Sequence, residues 1–386
     1  SGGKAFEYIL EIFRKIMEKK KLLVVIQHLR RGGVELAAIN FASNLNKEKY
    51  SITYYLVDVQ NYHDEALEKE LLASGAKIIK VSHSEHGYIK GYFHAKKIIS
   101  GGKYDIVHSH VMFFSGIIAA AAKRCGVKKI VTHSHGTKWN HKENAIFKAY
   151  KAVMRKLINK NATHILACSE SAGEYLYGKT EYKKRGIFVP NGIDCSAYAY
   201  NEAVRREVRN EFGIGNGEIL IGHIGTIYKI KNQVFLTEIF AEMLKTAPNS
   251  HLLLAGERAD DGPVLQKAKE LGIENKIIFT GQRSDVSRLL QGFDIMIFPS
   301  LYEGLPVSLI EAQAAKLPCL ISTAVTKEVA FNKSTAFMPL SEPAAKWGEK
   351  AFELIKANRN ETDITTLVNN FDIHKATEIL NKIYLD

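Results

Sequence analysis

Short apolar runs alternate with helical patterns along nearly the whole of this chain, and few architectures accept that alternation. Runs at residues 22–27, 52–57, 77–81, 106–108, 129–133 and 164–167 form one series, and runs at 219–224, 251–255, 276–280, 294–298 and 319–322 form a second. Strands that alternate with helices build a parallel, doubly wound sheet, because the chain must cross back before the next strand can pair in the same direction. Two series therefore predict two α/β domains, and 386 residues exceed what one core comfortably holds. The break falls near Val189-Pro190-Asn191-Gly192-Ile193-Asp194, where Asn-Gly marks a turn and the first of eight prolines occurs. The expected division is a tag remnant and basic amphipathic helix over 1–20, one domain over 21–190, a second over 191–370 and a final helix over 371–386. Ligands of such sheets sit at the carboxyl ends of the strands, so a cleft between the domains is the expected site.

Composition narrows the partners. With 46% hydrophobic and 24% charged residues the chain is ordinary globular protein, and no apolar run reaches the ~20 residues that span a bilayer. Cys125, Cys168, Cys195 and Cys319 lack C-x-x-C spacing and read as reduced thiols of a cytoplasmic protein. Charge is uneven: residues 1–195 carry 32 Lys and Arg against 17 Asp and Glu, a net +15, while the remainder is net −3. No nucleic-acid-reading module accompanies that basic half, so nucleic acid is not the expected partner. An anionic membrane face or a lipid-linked diphosphate suits it better. Phe6, Ile9, Leu10, Phe13 and Met17 give residues 5–20 a helical apolar stripe beside basic residues, equally suited to core packing and to a membrane surface.

Chemistry concentrates between Pro299 and Glu311. The run at 294–298 reads as a buried strand ending at Pro299, and Pro306 stands where proline suits the first turn of a helix. Glu303 then lies in the loop and Glu311 about a turn and a half into the helix. Backbone N–H groups of Gly304, Leu305 and Val307 would point out of the helix N-terminus, where unpaired donors and the macrodipole favour a phosphate. Gly304 lets that backbone approach closely. Two acceptor-only carboxylates flanking an anion site suit a ligand with hydroxyls on both sides of a diphosphate. A nucleoside diphosphate sugar has that shape.

The stretch resembles the E-x7-E signature of retaining glycosyltransferases of GT-B architecture, in particular their family 4, and the resemblance covers nearly the whole chain from Leu22 onward. It implies two Rossmann-like, doubly wound α/β domains facing a cleft. Under it, Glu303 contacts hydroxyls of the donor sugar and Glu311 the ribose hydroxyls. Gly32 and Gly33 let backbone approach the donor phosphates, with a plain tight turn as the alternative. Gly225 opens the equivalent turn of the second domain and Lys231 matches the family's diphosphate-binding lysine. Thr226 stands where members usually carry Arg, leaving Lys229 or Arg283 to supply that charge. Gly256 ends a neighbouring strand, and Arg283 lies in a loop beside the base, where Asp285 alternatively reads as a helix cap.

His108-Ser109-His110 and His133-Ser134-His135-Gly136-Thr137 place paired histidines on one face at strand ends, a pattern able to ligate zinc, although no acid or Cys stands at ligand spacing. The resemblance instead puts His110 beside the donor sugar and acceptor, with His135 a second candidate. The resulting expectation is metal-independent, retaining transfer from a UDP-linked sugar to a polyprenyl-diphosphate-linked or saccharide acceptor of exopolysaccharide or capsule assembly, at the inner membrane face. Lys231 and the helix at Pro306 would hold the departing diphosphate, with same-face attack in place of a covalent Glu303 intermediate. Another GT-B enzyme, an epimerase or inverting transferase, and a non-catalytic nucleotide-sugar binder are the alternatives.

Overall fold

The computed structural model describes residues 19–58, 63–81, 88–136, 144–303 and 305–386. Gly304, Thr137 and the body of the expected helix over 5–20 lie outside the described residues, and Lys20 opens a strand where that helix was expected to end. No helix among the described residues is long and apolar enough to cross a membrane.

The chain forms two units, Ser1–Gly192 with Ile373–Asp386, and Ile193–Asp372. Within the described residues the first unit holds β1 (Lys20–Ile26), β2 (Tyr50–Leu56), β3 (Lys77–Lys80), β4 (Ile106–Ser109), β5 (Lys129–Ser134), β6 (His164–Ala167) and β7 (Gly186–Phe188). They pair in parallel in the order β3-β2-β1-β4-β5-β6-β7. The second unit holds β8 (Leu220–Ile224), β9 (His251–Ala255), β10 (Ile277–Gly281), β11 (Ile295–Phe298), β12 (Cys319–Ser322) and β13 (Thr335–Met338). Their order is β10-β9-β8-β11-β12-β13, again parallel. Strand order reverses between β1 and β4 in one sheet and between β8 and β11 in the other, which are the places where doubly wound sheets open room for a ligand.

The pleat explains the continuous apolar runs. Leu22, Val24 and Ile26 of β1 face one buried cluster while Leu23 and Val25 face another, so both faces of the strand are covered. The same split divides Leu220 and Ile224 from Ile221 in β8, and Met296 and Phe298 from Ile295 and Ile297 in β11. Two strands escape the sequence pattern, β7 and β13. Each is a sheet edge whose residues are only partly buried, so neither needs an apolar run.

The last helix, Ile373–Leu385, belongs to the first unit, where Ile373, Ala376, Leu380, Ile383 and Tyr384 join the cluster that also covers Leu22 and Phe41. A Cβ on Gly192 would stand 2.9 Å from Cα of Ile373, so the outgoing and returning passes of the chain touch there and leave room only for glycine.

Candidate active site

In the second unit the site grows from the carboxyl ends of β8 and β11. β8 is wholly buried and is followed by Gly225, whose φ of +152° is a conformation L side chains rarely adopt. Gly256, after β9, has φ of +155°, and a Cβ there would lie 2.1 Å from the Gly225 carbonyl oxygen. The two turns are therefore packed backbone on backbone, and Gly256 is required by that packing whatever else it does. Beyond Gly225 a short 3-10 turn, Lys229–Lys231, leads through left-handed Asn232 into the helix Gln233–Thr246. Asn232 Nδ2 donates to the Pro299 carbonyl (3.1 Å) and the Leu301 amide to the Ile230 carbonyl (2.8 Å), which binds this turn to the end of β11.

That stitching brings Lys231 to Glu303. Lys231 Nζ lies 2.6 Å from Glu303 Oε1, with both side chains only 18% exposed, and 5.1 Å above the Phe298 ring. Glu303 is itself held by a single parallel bridge to Val325. Beneath the pair, buried His223 stacks on Phe298, donates from Nδ1 to the Ile297 carbonyl (3.0 Å) and meets Gln233 Nε2 through Nε2 (3.3 Å). Burial pushes its pKa down to about 4, so His223 is a neutral floor. Gln233 Nε2 also donates to the Thr226 carbonyl (3.1 Å), fixing the backbone where an arginine was expected.

Pro306 precedes the helix Val307–Ala314, and Glu311 emerges from the second turn while Leu309, Ile310, Ala312, Gln313 and Ala314 are buried. Leu305 and Val307 pack against the adjoining clusters, so their side chains anchor the turn. Glu311 Oε1 accepts from the Tyr198 hydroxyl at 2.8 Å. Burial raises the Glu311 carboxyl above its ordinary value, and the Tyr198 hydrogen bond opposes that rise. Arg283 is engaged elsewhere. Its guanidinium grips Asp285 at 2.7 and 2.8 Å and Glu211 at 3.1 Å. Asp285 consequently makes no side-chain cap of the following helix, contrary to the capping alternative.

In the first unit the corresponding strand ends carry imidazoles. His108, His110 and His133 are buried, and Phe41 from the helix Gly33–Ser43 stacks on His110 and His133. His108 Nδ1 meets the Tyr384 hydroxyl at 2.6 Å, and His133 Nε2 donates to the Val189 carbonyl at 3.0 Å. His110 Nδ1 meets His135 Nε2 at 2.8 Å, and His135 Nδ1 meets Asn191 Oδ1 at 2.6 Å. Burial holds His108, His110 and His133 well below the ordinary imidazole pKa, with neighbouring histidines acting in the same direction; His135 falls to about 4. One nitrogen from each of His108, His110 and His133 lies within 4.8 Å of the others, an all-imidazole set of a kind zinc accepts. Gly32 caps the helix Gly33–Ser43, and a Cβ on it would stand 2.6 Å from Oε2 of Glu35, which pairs with Arg30. Gly33 has open space where a side chain would be.

The second unit thus brings Lys231, Glu303, Gly225 and Thr226 to one switch point, with Glu311 on the adjoining helix. Arg283 is tied to its own carboxylates, and His110, Gly32 and Gly33 belong to the first unit. Tyr198, His223, Gln233 and Asn191 complete the two sets and were not read from sequence. Asn191 had a visible signal in the Asn-Gly turn; no spacing marks Tyr198, which acts 113 residues from its partner.

Comparison with known proteins adds matches of three kinds, to family models, to relatives and to a solved structure. Residues 31–197 match the family model described as Glycosyltransferase Family 4, and residues 204–337 match that of Glycosyl transferases group 1. The putative glycosyltransferase EpsF of Bacillus subtilis is 32% identical over 349 residues, covering 88% of this chain and 89% of that protein. An Escherichia coli UDP-Gal:alpha-D-GlcNAc-diphosphoundecaprenol alpha-1,3-galactosyltransferase is 24% identical over 314 residues, 75% of this chain and 77% of its own length. Among solved structures, Anabaena Alr3699/HepE in complex with UDP-glucose superimposes with a TM-score of 0.75 at 17% identity, covering 94% of this chain and 98% of the other.

Proposed function

The chain belongs to the family 4, group 1 glycosyltransferases of GT-B fold, and from that premise we propose that it transfers a sugar with retention from a UDP-linked donor to a polyprenyl-diphosphate-linked or saccharide acceptor in bacterial surface polysaccharide assembly. The observation that carries the reading is the Lys231–Glu303 pair at the β8/β11 switch point, beside the helix that starts after Pro306. A cation and a carboxylate so held can exchange partners when a nucleotide sugar arrives. Lys231 turns to the diphosphate and Glu303 accepts from hydroxyls of the sugar. Glu311, steadied by Tyr198, accepts from the ribose hydroxyls.

The bond from the anomeric carbon to the diphosphate oxygen breaks, and its electron pair leaves with the diphosphate. The acceptor hydroxyl oxygen bonds to the anomeric carbon from the same face, and its proton passes to the departing phosphate oxygen. Negative charge grows on that oxygen, where Lys231 and the amides of Leu305 and Val307 offer preorganised donors. These groups fill the role a divalent ion plays elsewhere, so the reaction is proposed to need none. In the first unit, His110 Nε2 accepts from a sugar hydroxyl. The basic first half and the E. coli relative, whose name gives a diphosphoundecaprenol acceptor, support a lipid-linked acceptor at an anionic membrane face.

The test is transfer from UDP-sugars to a synthetic polyprenyl-diphosphate saccharide, with the product anomer assigned by NMR and chelator present throughout. An α-linked product from an α-linked donor is expected. An inverted product, or a glycosyl adduct trapped on Glu303, overturns the mechanism.

A further inference from the structure

Folding asks one apolar stripe of each helix that covers a sheet, and two helices of the first unit carry a second. In the helix Tyr88–Gly102, Ala95 and Ile99 are buried in the cluster that covers Leu23 and Val25; in the helix Ala145–Asn161, Met154 and Ile158 are buried with Phe113 and Ile117. On the outer sides stand Ile89 and Phe93, four residues apart, and Ile146 and Val153, seven apart, so each pair shares a helix face. These are the four most exposed large hydrophobic side chains among the described residues, from 54% at Val153 to 81% at Ile146. They belong to one surface. Both helices pack on the helix Ser115–Arg124, and Tyr92 of the first joins Tyr150 and Met154 of the second in a single cluster.

Charge completes the pattern. The three helices together hold ten Lys and Arg and no Asp or Glu, and exposed Lys97 and Lys156 continue the two outer stripes beyond Phe93 and Val153. A second copy of this chain would meet that face with like charge, and aliphatic Ile and Val give a nucleic acid nothing to stack on. A bilayer with anionic headgroups takes both features: its acyl boundary accepts the apolar side chains while the ammonium groups stay among the headgroups.

We propose that the outer face of the helices Tyr88–Gly102 and Ala145–Asn161 docks the chain on an anionic membrane surface. The helices follow the carboxyl ends of β3 and β5, so Ile89 and Ile146 in their first turns stand toward the sheet edge where His110 and His135 lie. Docking there brings that edge to the membrane that holds a lipid-linked acceptor. The inference rests on that acceptor for its purpose, but the contact is a property of the free protein and is measured without turnover.

The experiment is co-sedimentation of the full chain with vesicles of phosphatidylglycerol and phosphatidylethanolamine and with vesicles of phosphatidylcholine. Fluorescence of Phe93→Trp and Leu72→Trp, read as the difference from the unmodified protein, locates the contact. Leu72 is the control, exposed on the helix Glu65–Ala73, which packs on the opposite face of the sheet. Expected are binding to the anionic vesicles alone, weakened by salt, and a blue shift for Phe93→Trp without one for Leu72→Trp. The double substitution Ile89→Glu with Ile146→Glu leaves the melting temperature unchanged and lowers vesicle binding about tenfold or more. It lowers transfer to a vesicle-embedded acceptor by a similar factor and leaves transfer to a detergent-solubilised acceptor unchanged. Undiminished vesicle binding in that variant, a blue shift at Leu72→Trp instead, equal binding to phosphatidylcholine, or a dimer that the double substitution dissolves overturns the proposal. If no sugar transfer is found, sedimentation and fluorescence still decide the docking face, and only the proposed reaction falls. If transfer proceeds and no vesicle binding is seen, the docking face falls and the reaction stands.

Discussion

The two switch points occupy the same place in two parallel sheets and are furnished with opposite chemistry. At the end of β4, on the first switch point, and of the neighbouring β5 stand neutral imidazoles, joined to Asn191, Val189 and Tyr384. At the ends of β8 and β11 stand an ion pair and, on the adjoining helix, a carboxylate held by a tyrosine. The topology supplies only a position where side chains from separate strands converge. Which ligand atom suits the position depends on what those side chains carry once buried: the imidazoles lose their charge to desolvation, whereas Lys231 and Glu303 are joined as an ion pair. A neutral acceptor suits a hydroxyl, and a movable cation suits a diphosphate.

The comparison is broken most directly at Lys231. Lys231→Ala is expected to lower kcat by about 10²–10³, the usual scale for one preorganised donor at a departing oxyanion, with little change in thermal stability. Steady-state kinetics showing a loss below tenfold would mean that the charged side is not where the diphosphate is stabilised.

Next in size is an acid effect that tests neutrality on the charged side. His223 has a folded pKa of about 4 against about 6.5 when unfolded, so between these values the unfolded chain binds the extra proton. Its contribution is complete above pH 6.5, is lost as pH falls toward 4, and amounts to about 3 kcal/mol over that window. Denaturant titrations of the second unit's unfolding at pH 7 and pH 4.5, with His223→Gln as control, should show the smaller pH dependence in the variant. Equal pH dependence in both would mean that His223 is not buried neutral.

Tyr198→Phe sharpens the picture at Glu311. Loss of one hydrogen bond, worth about 1 kcal/mol, should raise the donor KM about fivefold while kcat holds, and the rise should vanish with a donor lacking the ribose hydroxyls. A fall in kcat instead would move Glu311 into the chemical step. Arg283→Ala should have the smallest effect, less than about threefold on donor affinity measured by calorimetry, because Asp285 and Glu211 already hold the guanidinium. A tenfold loss would show that those carboxylates yield Arg283 to the nucleotide.

Much of the fold was legible because buried parallel strands must be apolar on both faces, and β4, β5, β8, β11 and β12 declare themselves that way. β7 and β13 did not, since an edge strand is exempt from that demand. Glu303, Glu311 and Lys231 could be picked out singly from their spacing and neighbours. Their partners could not: Lys231 and Glu303 meet across 72 positions, and Tyr198 reaches Glu311 across 113. Asp285 looked like a cap and spends its carboxylate on Arg283, because a bidentate guanidinium outcompetes a backbone amide.

The sequence by itself determined the rhythm of strand and helix, the Asn-Gly turn between the two series, and the chemical types present at each strand end. Those depend on nearest neighbours and on periodicity, which the chain carries locally. Only the tertiary structure decided that four histidines at the first unit's strand ends would be stripped of charge, that Asn191 would meet one of them, and that Lys231 would pair with Glu303. Burial and pairing are properties of side chains brought together by parallel register from distant parts of the chain, and no local pattern contains them.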